Sequence, residues 1–318
     1  MTTTSGPGLS LMTEFTGYAY YAEIPAVIWD IQRVGPSTGL PTRTAQADLS
    51  FVYGLSHGDT SFPVLLPGSV GECYEFAQVA FDLAERLQSP VFVLSDLDLG
   101  MNNWMSDPFV YPDKPWDRGK VLDDAALAKL ARFERYRDLD GDGIPYRTLP
   151  GTKDWKGTYF TRGSGHDEAA RYTEDPDAYV RNMDRLRRKL DTARTLVPAP
   201  EVTMTAGAEV GLIAFGSSHW AVLEARAELA AAGVKTSYMR VRGLPLHASV
   251  GEFVKQHERI HVIEQNRDGQ LAERIRLESP ERAVRIRSVL HYDGLPLDAR
   301  SVTDGVLAHE GLPTGAAR

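Results

Sequence analysis

The sequence holds a single cysteine, Cys73, among 318 residues. One thiol excludes a disulfide framework, and it excludes an iron–sulfur cluster ligated by this chain alone, which takes about four thiolates. No apolar run approaches the roughly 18 residues needed to cross a bilayer. The amino terminus has neither the basic flank nor the apolar core of a targeting segment. Positive charge is in deficit as well: 35 Lys and Arg face 43 Asp and Glu, a net charge of −8. That balance argues against a general nucleic-acid binder. Internal repeats and low-complexity tracts are missing too. The expectation is a chain without a membrane span or a nucleic-acid partner, working in a reducing, cytoplasmic setting.

What is present is ample for buried cores, with 42% hydrophobic residues, and the length fits two domains. Residues 1–98 alternate apolar runs (26–30, 62–66 and 91–94) with a helical pattern over 70–88, which is a βαβ rhythm. Residues 99–175 are rich in Asp, Trp, Tyr, Gly and Pro and read as a long excursion over that first unit, closed by a charged helix at 176–197. The stretch Val-Pro-Ala-Pro-Glu from Val197 to Glu201 makes a linker. A second α/β unit follows, with strands at 210–215, 236–242 and 260–264 and helices at 221–232 and 250–256. The reading is therefore an α/β fold in two units, 1–197 and 198–318, each a parallel sheet with helices on both faces.

Chemistry concentrates at two places in the first unit. Thr3 to Gly8 reads Thr-Thr-Ser-Gly-Pro-Gly, a tight turn in which Gly6 and Gly8 flank Pro7 just before an amphipathic helix. A strand should feed such a turn, yet only four residues precede Ser5. The other place is the loop 32–42, directly after the strand that the pattern ends at Asp30. Loops at the carboxyl ends of parallel strands are where open α/β sheets bind ligands. Arg33 offers a planar cation that grips a carboxylate through two hydrogen bonds, and Ser37, Thr38 and Thr42 add hydroxyl donors. A purely structural loop, with Arg33 paired to a surface acid, is the alternative.

The turn and the loop together resemble the pyrimidine-binding domain of thiamine diphosphate enzymes. More narrowly, the chain resembles the alpha subunit of 2-oxoacid:ferredoxin oxidoreductases of the 2-oxoglutarate type. The likeness also takes in Gln46 to Asp48, His57-Gly58, the segments 145–151 and 159–166, Val262 to Gln270 and Tyr292 to Pro296. It implies a thiamine-diphosphate pyrimidine-binding domain, here incomplete, followed by a transketolase C-terminal-like α/β domain. It implies oxidative decarboxylation of a 2-oxoacid to an acyl-coenzyme A, with electrons passed to ferredoxin. In the family the arginine matching Arg33 and the threonine matching Thr42 hold the substrate carboxylate. Thr38 joins them as a further substrate contact, and Thr4, Ser5, Gly6 and His57 face the cofactor. Thiamine diphosphate, its magnesium and a 4Fe-4S cluster belong in the family mainly to a separate beta subunit. That subunit, ferredoxin and coenzyme A are the implied partners.

Two family features have no counterpart here: a glutamate upstream of the turn that activates the cofactor, and a Tyr-Pro-Ile-Thr-Pro segment further upstream. The resemblance places both before Met1, so the expectation is a chain that starts one or more elements late and is inactive by itself. No catalytic residue of the family is therefore assigned within it. A pyruvate-type enzyme, a carboligase-type thiamine enzyme and a non-catalytic remnant that only binds the partner subunit stand as alternatives.

Other candidates read as follows. Asp138 to Gly143 imitates the start of a calcium loop, but Leu149 stands where the closing glutamate belongs and Pro145 interrupts it, so an acidic turn is expected. Arg162, among the glycines of 159–166, suits the second carboxylate of 2-oxoglutarate or simply orders the excursion. Cys73 reads as a buried packing thiol, and the basic stretch Arg181 to Lys189 as a solvated helical face. Gly216 to Ser218 opens a helix without a full dinucleotide fingerprint, and Glu264 to Gln270 reads as a structural turn or interface.

Overall fold

The computed structural model describes residues 1–113 and 115–315. The turn is fed by a strand after all: β1 (Thr2–Thr4) runs parallel to β2 (Ala26–Val34), with Thr4 opposite Asp30. Between them lies α1 (Gly6–Ala22), started by Pro7 and stopped by Glu23 in the left-handed conformation at φ 57°. Its Leu9, Thr16 and Tyr20 point into the core, whereas Leu11 and Phe15 face outward, 88% and 73% exposed.

Strand β2 does not end at Asp30. It continues through Gln32 and Arg33 and folds back as a hairpin onto β3 (Leu40–Thr44), with Arg33 opposite Thr44. The turn residues Ser37 and Gly39 take positive φ, 59° and 51°, which short polar residues and glycine tolerate. The Gly, Pro and Ser that look like a loop in the sequence are the tip of this hairpin. The neighbouring strand at Pro90–Asp96, which pairs Ser95 and Asp96 with Ile31 and Gln32, holds β2 extended.

Then follow α2 (Leu49–Tyr53), β4 (Val64–Leu65), α3 (Val70–Leu87), β5 (Pro90–Asp96) and α4 (Leu97–Met101). Ser69 caps α3 by accepting from the Glu72 N–H at 3.1 Å. Helix α3 covers one sheet face with Phe76, Ala80 and Leu83. Beyond α4, the described residues of the excursion form α5 (Asp124–Ala128), a 3-10 turn at Trp155–Gly157 and otherwise irregular backbone. It closes with α6 (Pro176–Leu196), capped by Asp175.

The second half runs β6 (Glu201–Thr203), β7 (Val210–Phe215), α7 (Ser218–Ala231), β8 (Thr236–Val241), β9 (Gly243–Leu244) and α8 (Ala248–Gln256). It ends with β10 (Arg259–Glu264), α9 (Gln270–Glu278), β11 (Ile286–Leu290) and α10 (Ala299–Glu310). The first sheet has the order β1-β2-β5-β4-β9, with β3 attached to β2; the second is β11-β10-β7-β8-β6. Strand β9, although late in the chain, pairs with β4 in the first sheet.

Gln46 is the polar hub between the halves. Its side-chain amide donates toward Asp96 Oδ2 (3.1 Å) and the Phe215 carbonyl (3.3 Å), while its Oε1 accepts from Ser218 Oγ at 3.0 Å. Asn266 Nδ2 in turn donates to the Gln46 carbonyl at 3.1 Å. One apolar cluster also runs through both sheets, from Leu9, Phe62 and Phe92 to Met239, Ile260 and Leu271.

Several expectations need correction. Arg185 and Lys189 are not on a solvated face of α6 but buried against Glu23, because that side of the helix packs on the end of α1. The acidic turn at 138–143 needs no correction but gains a partner: Lys120 Nζ lies 2.6 Å from Asp140 and 2.8 Å from Asp142. Cys73 is half-buried rather than enclosed, and burial still pushes its thiol up to about 11.

Candidate active site at the carboxyl edge of the first sheet

Strands β1 and β5 end opposite Asp30 and Gln32 of β2, and Thr4, Ser5, Gly6 and Arg33 lie around those ends. Thr4, Ser5 and Gly6 form the bend from β1 into α1 and are half-buried. The bend is tight by construction, since a Cβ at Gly8 would overlap Thr4 Oγ1. Ser5 occupies the cap position of α1 without making a side-chain cap bond, and Pro7 supplies no N–H. This short-chained edge leaves its backbone open to a ring or an anion above it.

Arg33 follows Gln32 on β2. It forms no ion pair with a described residue, and its Nε is buried without a hydrogen-bond partner. The surface-acid pairing that sequence left open is thus not what the fold adopts. A buried guanidinium nitrogen with no acceptor is costly unless something accepts from it. Thr38 and Thr42 lie exposed on the hairpin beyond Arg33. His57 is exposed on the loop after α2, where Ser56 packs over Gly17 of α1. Arg162 stands apart in the excursion: its Nε donates to the Ala170 carbonyl at 3.3 Å, and its guanidinium stacks 4.8 Å from the Phe160 ring. That geometry orders the segment 160–172 and leaves Arg162 outside the Arg33 cluster.

The structure adds two residues that sequence reasoning did not single out. Asp30, fully buried opposite Thr4, has neither carboxyl oxygen hydrogen-bonded to an ordinary donor. Its neighbour is Asp48, the cap residue of α2, which lies against Gly6. Burial first, and then the charge of Asp48, push the Asp30 carboxyl up to about 9. Asp48 is raised as well, again chiefly by burial. Two acids so close cannot both be ionised in such surroundings, so the pair holds a proton, and the more deeply buried Asp30 is where it sits. Gln32 keeps Asp48 in place, accepting from its N–H at 3.1 Å while donating to the Ser95 carbonyl at 3.2 Å. The signal available in the sequence was an acid closing an apolar strand.

Glu264 repeats that signal at the end of β10. It is fully buried and accepts from the Leu271 and Ala272 N–H groups (2.7 and 3.0 Å), capping α9. Between the hairpin and the following loop 265–270 lies a cleft of about 500 Å³, lined by Val34, Pro36, Asp48, Asn266, Arg267 and Tyr292. Asp48 reaches solvent through this cleft, with Asp30 enclosed behind it. Among the described residues no group of three or more His, Cys, Asp or Glu is placed to hold a metal ion, and no helix is long and apolar enough to cross a membrane.

Known proteins resemble the chain in sequence and in fold. Residues 1–105 match the family described as "Pyruvate flavodoxin/ferredoxin oxidoreductase, thiamine diP-bdg". The alpha subunit of 2-oxoacid:ferredoxin oxidoreductase 2 from Aeropyrum pernix is 36% identical over 312 residues, covering 96% of this chain and 47% of that protein. The 2-oxoglutarate synthase subunit KorA of Methanothermobacter marburgensis is 33% identical over 247 residues, covering 76% of this chain and 62% of its own length. Among solved structures, a 2-oxoglutarate:ferredoxin oxidoreductase from Magnetococcus marinus, with 2-oxoglutarate, coenzyme A and succinyl-CoA bound, superposes with a TM-score of 0.86. It is 30% identical, with 96% of this chain and 52% of that one covered. The chain spans about half the length of the curated relatives that it matches almost end to end. Alike in sequence over nearly its whole length and alike in fold, it is a relative of the alpha subunits of 2-oxoacid:ferredoxin oxidoreductases, and its amino-terminal third matches that family's thiamine-diphosphate-binding domain.

Proposed function

We propose that this chain works as part of the alpha subunit of a 2-oxoglutarate:ferredoxin oxidoreductase, which decarboxylates a 2-oxoacid oxidatively to its acyl-coenzyme A. The observation that carries the reading is Arg33, an unpaired guanidinium with a buried, unpartnered Nε at the carboxyl edge of a parallel sheet. In this reading Arg33, with Thr38 and Thr42 from the hairpin, receives the carboxylate of the 2-oxoacid and fixes the direction of its keto carbon. The grip must stay moderate, because the carboxylate charge disappears as carbon dioxide leaves. Thr4, Ser5 and Gly6 present the backbone edge to the cofactor, with His57 on the neighbouring loop. Asp30 keeps that edge neutral by retaining its proton.

Thiamine diphosphate, when bound, supplies the nucleophilic carbon and the electron sink that 2-oxoacid decarboxylation requires. The reading assigns the cofactor's diphosphate, its magnesium and the 4Fe-4S cluster to a beta subunit, and the electrons to ferredoxin. It also takes residues 1–197 and 198–318 as the two domains. The preference for 2-oxoglutarate rests on the relatives that are named for that substrate and not on Arg162, which the excursion engages.

The test is kinetic, on the chain reconstituted with its beta subunit and any missing upstream segment. Arg33→Ala should lower kcat/KM for the 2-oxoacid on the order of 100-fold, the loss expected for a charge-assisted pair, with Arg33→Lys intermediate. Unchanged turnover and KM in Arg33→Ala would sink the reading. A higher kcat/KM for pyruvate than for 2-oxoglutarate in the unmodified complex would move the assignment to a pyruvate-type enzyme.

A further inference from the structure

At the opposite end of the first sheet, where β2 and β5 begin, the chain buries more positive charge than negative. Glu23, the residue that ends α1, is 2% exposed and faces three cations that are equally hidden. Arg185 donates to its two carboxylate oxygens at 3.0 and 2.8 Å, and Lys189 Nζ lies 2.6 Å from Oε1. Arg135 donates to the Glu23 backbone carbonyl at 3.1 Å, and its Nε and Nη1 have no acceptor. One carboxylate thus answers for three buried cations. Unbalanced charge in a poorly solvated place is expensive unless an outside partner completes it.

A cavity of about 230 Å³ opens beside this cluster, with Tyr136, His166, Asn182 and Arg185 in its wall. Tyr136 joins the two features: the Arg135 guanidinium lies 4.8 Å from the centre of its ring, and the His166 imidazole stacks on it at 3.9 Å. Asn182 is 7% exposed, and its Oδ1 accepts from Arg185 at 2.7 Å, which fixes the amide's orientation. Its Nδ2 is left buried without an acceptor, and so is His166 Nε2 without a partner. Arg181 and Arg188 stand at the mouth.

The acids at the mouth are already committed. Asp138 takes the Gly141 and Gly143 N–H groups and Arg188, Asp167 takes the Ala169 and Arg171 N–H groups, and Glu168 takes Arg181. Among the described residues Asp184 is the one lining acid without such a partner. The volume falls below the roughly 300 Å³ at which pockets for drug-sized ligands begin, yet exceeds that of several waters at about 30 Å³ each. It suits an ion of phosphate or short-carboxylate size.

We propose that this cavity is a binding site for a small oxyanion, a phosphate or a short carboxylate, received by Asn182 Nδ2 and by the Nε–H of Arg185, whose Nη hydrogens are already taken by Glu23, Asn182 and the Gly143 carbonyl. The site is separate from the Arg33 edge, since β2 runs from Ala26 to Val34 between the two, a rise of about 3.3 Å per residue. It does not depend on the function proposed above.

The experiment is a titration of the full chain at constant ionic strength, read by thermal unfolding and calorimetry. Inorganic phosphate and acetate are the probes, with chloride as the control. A saturable stabilisation by phosphate or by acetate, beyond that of chloride, is expected, and the anion that gives it identifies the ligand. Asn182→Asp, which turns the free donor into a negative acceptor, should weaken binding about tenfold or more, equivalent to about 1.4 kcal/mol. Should that variant fail to fold, Arg188→Gln at the mouth should still weaken binding several-fold. Arg33→Ala should leave it unchanged, which separates this site from the other edge. No effect beyond chloride, or a saturable effect that survives Asn182→Asp or Arg188→Gln intact, overturns the proposal.

Discussion

At Asp30 the fold keeps a carboxyl group where only another acid meets it. Because burial and Asp48 raise its folded-state pKa to about 9, folding favours the protonated form over a wide window. The sign follows from linkage. An unfolded Asp loses its proton near pH 4, so between roughly pH 4 and 9 the folded chain holds one proton more. Stability from this group is therefore complete in acid and declines as pH rises, with a limiting slope of about 1.4 kcal/mol per pH unit. Asp30→Asn keeps the shape and the neutral state and removes that slope. Urea denaturation at pH 5.5 and pH 8.5 should show the variant gaining on the parent at the higher pH. If both lose stability in parallel between those two values, Asp30 is not the proton holder.

The turn from β1 into α1 shows how an element positions the site. Gly8 is permitted because Thr4 Oγ1 occupies the space where a Cβ would stand. Gly8→Ala should force Thr4 aside, distort the Thr4-Ser5-Gly6 edge and destabilise by about 1–3 kcal/mol, the usual cost of overpacking. Thr4→Ala frees that space, so the double variant should regain most of the loss in a denaturant series; strict additivity of the two single changes would disprove the coupling. Much of this level was legible in the sequence. The runs at 210–215 and 260–264 appear as β7 and β10 because parallel strands, buried on both faces, read as unbroken apolar stretches. Helix α3 matches its period because Phe76, Ala80, Leu83 and Leu87 fall on one side. Elements that draw their stability from partners were not legible. Gln32, Arg33 and Val34 extend β2 only because β5 and Thr44 pair with them, and Ile286–Leu290 becomes a strand by lying along β10. The acid pair was hidden for a similar reason: Asp30 and Asp48 are 18 positions apart in the sequence and meet only where β2, α1 and α2 converge.

As a whole, the molecule is well closed between its halves and open along one side. The Gln46 hub, the apolar cluster through both sheets and the β4–β9 pairing tie the halves together. In contrast, β1 ends the first sheet with three residues paired on one side only, and the helix beside it shows Leu11 and Phe15 to solvent. Separately, the start of the excursion, where Phe109 stacks on Tyr74 of α3 at 4.7 Å, exposes Met105, Val110 and Tyr111 at 99%, 79% and 71%. Exposed apolar side chains, those of α1 beside the unpaired strand edge above all, favour association. They also form the kind of surface that a partner subunit holding the cofactor would cover in the proposed assembly. The isolated chain should therefore associate with itself in a concentration-dependent way during sedimentation velocity at tens of micromolar. Replacing both outward residues of α1, Leu11→Gln with Phe15→Gln, should shift the distribution toward monomer. The melting temperature should barely change, because solvent-facing substitutions cost about 0.5 kcal/mol or less. A monodisperse monomer before any substitution, at the same concentrations, would show that this side needs no cover.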